Sequence, residues 1–278
     1  MQAQLYIGYN TTMPKIRVDI LLVESGLAES RNQAQRLVMA GQVRANGQVV
    51  SKPSITVLAG TTLTVDQGPQ FVSRGGEKLQ AALQTFDVDP AGKVCADVGA
   101  STGGFTDCLL QIGAAKVYAI DVGQGIMHWK LRSDPRVVLM EGTNARFVEG
   151  LPEKIDLVTI DASFISLKVL LPVVKGWFHT ANITGKPDKG DVIALVKPQF
   201  EAGRGEVARG EGVIRNPAVH RQVIGDVSTF ALAQGYGMRG LLRSPLLGPK
   251  GNAEFLAWLD YPAQGANDLE AMLDKLFS

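Results

Sequence analysis

Apolar residues recur along this chain in two different rhythms. From Ile16 to about Val65 they come in short runs. Val18, Ile20, Leu21, Leu22 and Leu27 have the spacing of one amphipathic helix, and Ala34, Leu37, Val38 and Met39 that of a second, capped by Ser30 and stopped at Gly41. Val43 to Val50 alternates about Asn46-Gly47, a dipeptide that supplies the positive φ angles of a two-residue hairpin turn, and Thr61 to Val65 reads as a further strand. After Gly76 the rhythm changes. A helix through Leu79, Ala82, Leu83 and Phe86 leads into apolar strands at 94–98, 116–121, 137–141, 155–161, 191–197, 238–244 and 254–259, with helices at 106–112, 169–178 and 217–234 between them. Such alternation predicts a mostly parallel, doubly wound α/β sheet with helices on both faces.

The boundary falls in the glycine-containing connector between Gln67 and Gly76. Four segments are expected: a polar, aperiodic tail at 1–14, a small α+β domain at 15–66, a linker at 67–77 and the large domain at 78–278. Met13-Pro14-Lys15 reads as an equally good beginning. The small domain is locally basic, with Lys15, Arg17, Arg31, Arg36, Arg44 and Lys52 against Asp19, Glu24 and Glu29. Its order of elements, with Arg17 opening the first helix and Ser30-Arg31-Asn32-Gln33-Ala34 the second, resembles the S4 RNA-binding domain. The resemblance implies that Arg17, Arg31, Arg36 and Arg44 meet structured RNA, which is read mainly through shape and backbone contacts. Without it, each arginine reads as an ordinary solvated surface residue.

The large domain opens with a buried strand, a glycine-rich turn and the first turn of a helix, Val94 to Phe105, followed by a second apolar strand ending at Asp121. This is the nucleotide-binding start of a Rossmann-like sheet. A dinucleotide site wants Gly-x-Gly-x-x-Gly, whose middle glycine lets the backbone touch a pyrophosphate. Here that position is Ser101, which counts against a nicotinamide-dependent dehydrogenase. S-adenosylmethionine carries no phosphate and needs only a tight turn and an acid for its ribose hydroxyls. The turn residues Gly99, Ala100, Ser101, Gly103, Gly104 and Phe105 are therefore expected at that cofactor, with Asp121 on the ribose and Asn144 near the adenine, although Asn144 also suits plain turn chemistry. Asp97, two residues before the turn, either accepts hydrogen bonds from turn amides or faces the cofactor's ammonium group.

Two further strands end in charge: 155–161 in Asp161 and 191–197 in Lys197. The first continues as Ala162-Ser163-Phe164, without the proline-rich motif usual at this point in amino-group methyltransferases. Together with Lys78 and Glu254 these residues resemble the Lys-Asp-Lys-Glu tetrad of FtsJ-type ribose methyltransferases. With an S4 domain in front, the chain from about Lys15 onward is similar to the TlyA family of rRNA methyltransferases, also called hemolysins. Ser73-Arg74-Gly75-Gly76-Glu77-Lys78-Leu79, Val196-Lys197-Pro198-Gln199-Phe200-Glu201 and Gly248-Pro249-Lys250-Gly251-Asn252-Ala253-Glu254 carry the likeness. It implies S-adenosylmethionine-dependent 2′-O-methylation of cytidine in ribosomal RNA or ribosomal subunits. A lysine accepts a hydroxyl proton only where burial and a neighbouring ammonium disfavour its charge while carboxylates orient it. Lys197 is therefore expected to hold or deprotonate the hydroxyl, Asp161 to partner it, and Lys78 and Glu254 to position the substrate. The alternative is a structural cluster of ion pairs.

Composition narrows the field further. The formal net charge is +1, so no overall field announces a nucleic-acid partner and only local patches count. Cys95 and Cys108 both lie in apolar contexts, and neither a disulfide framework nor a metal site is expected. No apolar run reaches membrane-spanning length and no secretory pattern opens the chain. These features point to a cytoplasmic protein and against a pore-forming cytolysin. An RNA-binding protein with an inactive methyltransferase domain is the remaining rival. The oligomeric state and the modified nucleotide are not legible in the sequence.

Overall fold

The computed structural model describes residues 13–66, 68–178, 189–202, 212–265 and 268–278. The expected tail up to Thr12 and position 67 of the expected linker lie outside them. The chain divides into two compact units, Met1–Pro69 and Gln70–Ser278. The second unit thus begins inside the stretch read as a linker.

In the small unit, α1 (Val18–Glu24) and α2 (Arg31–Met39) close on a core of Val18, Leu22, Ala34, Val38 and Val43. Ser30 caps α2 by accepting the Gln33 N–H. The hairpin forms as its sequence demands: Asn46 and Gly47 take φ +48° and +83° between β2 (Val43–Ala45) and β3 (Gln48–Val49). β5 (Leu63–Val65) pairs with the other edge of β2. The pairing of β1 (Lys15–Arg17) with β4 (Thr56–Leu58) was not legible, since three residues are too few to show a period.

The large unit is one seven-stranded sheet between two helical layers. β6 (Val94–Val98), β7 (Lys116–Ile120), β8 (Val137–Met140), β9 (Leu157–Ile160), β10 (Gly190–Val196), β11 (Gly237–Arg243) and β12 (Phe255–Tyr261) lie in the order β11-β12-β10-β9-β6-β7-β8. β12 is reversed, pairing antiparallel with both β10 and β11, while β10, β9, β6, β7 and β8 pair in parallel. The central strands are apolar on both faces, so alternate residues enter opposite cores. Cys95, Val117, Ile193 and Leu195 pack under α3 (Gly75–Phe86) and α4 (Gly104–Ile112). Ala96, Tyr118, Val192 and Ala194 pack under α6 (Leu167–Val174) and α8 (Pro217–Ala233). Each buried large aliphatic side chain contributes about 1.5–3 kcal/mol. The short α5 (Trp129–Arg132) and α7 (Pro198–Glu201), and α9 (Leu269–Phe277), were not among the expected elements.

Candidate active site

The charged residues gather at the carboxyl ends of β6, β7, β9 and β10, beside the point where strand order reverses between β6 and β9. Doubly wound sheets bind ligands there. The chain leaves β6 through Gly99 to Gly103 and enters α4, and two of these glycines are sterically required. Gly99 has φ +82°, and a Cβ on it would stand 2.8 Å from the Asp161 carbonyl oxygen, so only glycine lets the turn lie this close to the end of β9. Gly103 has φ +99°, and its Cβ would strike Leu131 at 2.2 Å; it backs onto α5 and lines neither cavity described below.

Ser101 also adopts a left-handed conformation, φ +52°, at a cost on the order of 1–2 kcal/mol for a residue with a side chain. Its inward N–H is held at 2.7 Å by Asp121 Oδ2, while Asp121 Oδ1 accepts the Gly123 N–H at 2.7 Å. Asp121 therefore locks the turn to the end of β7. A cavity of about 280 Å³ opens here, lined among others by Gly99, Ser101, Asp121, Val122, Ile126 and Asn144. Asn144 also caps the short helical turn at Ala145–Phe147, its Oδ1 accepting the Arg146 N–H at 3.2 Å.

Asp97 is corrected by the structure. It is completely buried and lines neither cavity; its oxygens accept the Thr106 hydroxyl at 2.7 Å and the Thr159 hydroxyl at 3.0 Å. It braces β6 against α4 and β9 from beneath the turn. Burial pushes its carboxyl up to about 7, the two threonine hydroxyls opposing the shift.

A larger cavity of about 880 Å³ continues from the first, the two sharing Gly99, Ser101, Asp161, Ser163 and Phe164. Ala100, Gly104 and Phe105 also line it, and all four expected tetrad residues face it. Lys78 Nζ donates to Glu254 Oε2 at 2.5 Å. Lys197 Nζ lies 2.6 Å from Asp161 Oδ1 and donates to Ser163 Oγ at 3.0 Å and to the Asp161 carbonyl at 3.3 Å. The tetrad is thus two ion pairs contributed by α3, β9, β10 and the approach to β12. Three of the four side chains are at most 11% exposed and Asp161 is 23% exposed. At that depth removal of one partner strands a desolvated charge. A Cβ on Gly248 would meet Glu254 Oε1 at 2.0 Å, so this glycine admits the carboxylate.

Among the lining residues that escaped the sequence reading are Ser163, Phe164, Gln199 and Phe200. Phe164 is 91% exposed, has φ +64° and packs its ring on Phe200 with centroids 4.9 Å apart. The departure Asp161-Ala162-Ser163-Phe164 from the proline-rich pattern was the available signal.

In the small unit the arginines divide. Arg17 and Arg31 turn onto Asp19, which is 0% exposed and accepts from both at 2.9–3.0 Å and from Gln35 at 3.0 Å. The Arg17 hydrogen bonds, with those of Gln35 and Arg31, hold the Asp19 carboxyl well below the usual carboxylate range. Both guanidinium groups are thus tied to a buried partner rather than projecting freely, as expected of RNA contacts, though Arg31 keeps 54% of its side chain exposed. Arg44 pairs with Asp66 at 2.7 Å. Arg36 is exposed and makes no ion pair among the described residues.

Another cavity, about 690 Å³, lies at the amino ends of β6 and β10 beside Lys93, Asp191 and Trp258 and contains none of these groups. Among the described residues no helix is long and apolar enough to cross a membrane, and no cluster of three or more side chains could hold a metal ion.

Residues 71–261 match the FtsJ-like methyltransferase family and residues 16–63 the S4 domain. A Bacillus subtilis protein provisionally named as the rRNA methyltransferase YqxC is 47% identical over 93% of this chain and 90% of its own length. TlyA of Mycobacterium tuberculosis, named a 16S/23S rRNA (cytidine-2′-O)-methyltransferase, is 45% identical over 88% of this chain and 90% of its own. A solved structure from Streptococcus thermophilus, provisionally named a hemolysin, superposes with a TM-score of 0.67 at 42% identity, covering 96% of this chain and 95% of that one. A tetrad of buried ion pairs at the switch point, and family matches covering both units, place this chain in the FtsJ-like methyltransferase family, within the S4-bearing group that includes TlyA.

Proposed function

We propose that this protein transfers a methyl group from S-adenosylmethionine to the ribose 2′-hydroxyl of a cytidine in ribosomal RNA, its S4 unit supplying RNA affinity. The observation that carries the reading is the pair of buried ion pairs, Lys78–Glu254 and Lys197–Asp161, facing one cavity that runs on into the cleft at Asp121. The names of the rRNA-methylating relatives support the substrate class.

The cleft suits a cofactor without phosphates. Ser101 directs its N–H into Asp121, which withdraws that backbone donor from a pyrophosphate. Gly99, Ala100 and Gly104 would hold the methionyl end, Asp121 the ribose hydroxyls, and Val122 and Asn144 the adenine side. When bound, S-adenosylmethionine supplies an electrophilic methyl group.

The chain's own residues do the rest. Lys197, fixed by Asp161 and Ser163, holds the 2′-hydroxyl in line; once its ammonium has released a proton to solvent, the amine takes up the hydroxyl proton as the oxygen–carbon bond forms and the methyl–sulfur bond breaks. Asp161 stabilises the ammonium so produced. Glu254, steadied by Lys78 through Oε2, has Oε1 left to accept a ribose hydroxyl. The exposed ring of Phe164 offers a face on which an unstacked base can lie.

Ribose-methylation mapping tests the reading on ribosomal subunits from cells lacking this gene, incubated with purified protein and S-adenosylmethionine. The parent is expected to add a 2′-O-methyl group at a cytidine. Lys197→Ala should lower kcat by about 10²- to 10⁴-fold, with both ligands bound within a few-fold of the parent. Methylation at a base atom, or near-parent turnover by Lys197→Ala, would overturn it.

A further inference from the structure

Two acceptor oxygens of residues lining the larger cavity are withdrawn from solvent and take no hydrogen bond among the described residues: Glu254 Oε1 and Gln199 Oε1. Buried acceptors are ordinarily satisfied, so an unmet pair at a ligand cavity points to a ligand that brings N–H or O–H donors. Glu254 belongs to the tetrad. Gln199 has no role in the mechanism above. It stands in the single turn of α7, two residues after Lys197 and next to Phe200, whose ring carries Phe164. It lines the same cavity as Lys197, which handles the ribose, and Phe164, the aromatic face offered to the base.

We propose that Gln199 selects the target base, its side-chain carbonyl turning into the cavity to accept the exocyclic amine of cytosine while the ring lies against Phe164. The inference rests on the ribose-methylation reading and deepens it by naming the group that distinguishes the nucleotide. Unstacked bases are read in this manner, by stacking and by hydrogen bonds to the Watson–Crick edge. Cytosine brings two N4 hydrogens to a site whose unmet groups are acceptors. Uracil puts O4 in the same place, so acceptor faces acceptor and the Gln199 carbonyl stays unsatisfied. A half-turn of the amide would recover part of the loss. The preference to be attributed to Gln199 is accordingly that of a single hydrogen bond, about tenfold.

The test uses the full chain and ribosomal subunits carrying either cytidine or uridine at the mapped position, and reads the ratio of kcat/KM for the two. The parent should prefer cytidine. Gln199→Leu should lower the ratio about tenfold while S-adenosylmethionine affinity stays within a few-fold. Gln199→Glu presents acceptors only and cannot exchange donor for acceptor by rotation, so it should keep the ratio at or above the parent's. A parent indifferent to the base, a leucine variant with the parent's ratio, or a glutamate variant that falls with the leucine variant would each overturn the inference while leaving ribose methylation intact. A parent that methylates no ribose overturns the proposed function and this inference together. Should Gln199→Leu fail to fold, Gln199→Asn, which withdraws the carbonyl by one methylene, carries the test and must also lower the ratio.

Discussion

Replacing Asp97 with asparagine should make the large unit less sensitive to pH, by an amount the structure sets. The carboxyl is completely buried, bonded to the Thr106 and Thr159 hydroxyls, and burial raises it to about 7. In the unfolded chain an aspartate titrates near ~3.9. With the folded value raised, the folded state binds the extra proton between these limits. The resulting stabilisation is full below about pH 3.9 and is lost as pH rises through about 7. A pKa unit corresponds to about 1.4 kcal/mol, and roughly two units of that interval lie above pH 5, so the parent should lose on the order of 2–3 kcal/mol between pH 5 and pH 8 through this group. Asparagine keeps the shape and an acceptor but has no proton to lose. Urea unfolding followed by tryptophan fluorescence is a suitable assay, because Trp129, Trp177 and Trp258 all lie in the large unit. The stability of Asp97→Asn relative to the parent should improve by about 2–3 kcal/mol from pH 5 to pH 8. A difference that stays constant with pH would refute the reasoning, since Asp97 would then titrate in the fold as it does in the unfolded chain.

Three other expectations can be checked. Lys78→Ala leaves the Glu254 carboxylate buried without its cation and should cost about 3–5 kcal/mol in chemical denaturation, whereas Lys78→Met with Glu254→Leu should recover much of that stability and still lack methyl transfer. Asp121→Ala removes both the expected ribose acceptor and the lock on the Ser101 N–H; calorimetry should show S-adenosylmethionine binding weakened about 10- to 100-fold, and unaltered binding would exclude Asp121 from the cofactor site. Arg36→Ala should weaken RNA binding and reduce its salt slope by about one without lowering the melting temperature, while Asp19→Ala should lower it, because Arg17, Arg31 and Gln35 all close on that buried carboxylate.

The central sheet was legible because its strands are apolar on both faces and bounded by glycine turns; β6 begins and ends where its pattern does. What the pattern could not carry was partnership. Arg17 and Arg31 read as RNA-facing through the likeness to the S4 domain, and nothing in the order Arg17-Val18-Asp19 reveals that Asp19 is buried and gathers both. Asp97 looked like a ligand contact because it precedes a glycine turn, yet the hydroxyls that engage it come from 9 and 62 positions away. The tetrad residues could be named from their motifs, and Asp161 expected to partner Lys197, but not that Lys78 pairs with Glu254 across 176 positions. Gln199 and Phe164 have no periodic signature; they matter through the cavity they line.

Backbone strain offers an independent view of the same site. Five described non-glycine residues adopt positive φ: Asn46, Asp87, Ser101, Phe164 and Lys250. The first belongs to the hairpin turn and the second ends α3 in the left-handed conformation common at helix termini. The other three, from three loops far apart in sequence, line the continuous cleft that holds the tetrad. Each left-handed residue with a side chain costs on the order of 1–2 kcal/mol, and glycine would relieve it. The buried ion pairs point the same way, because an apolar substitute for such a pair is often as stable or more so. Packing alone therefore accounts for neither the strain nor the charges. Ser101 at the turn, Phe164 at the rim and Lys250 on the loop before Glu254 hold conformations that place their side chains around one cavity. A requirement to bind a ligand there explains why that cost is carried at the carboxyl edge of the sheet.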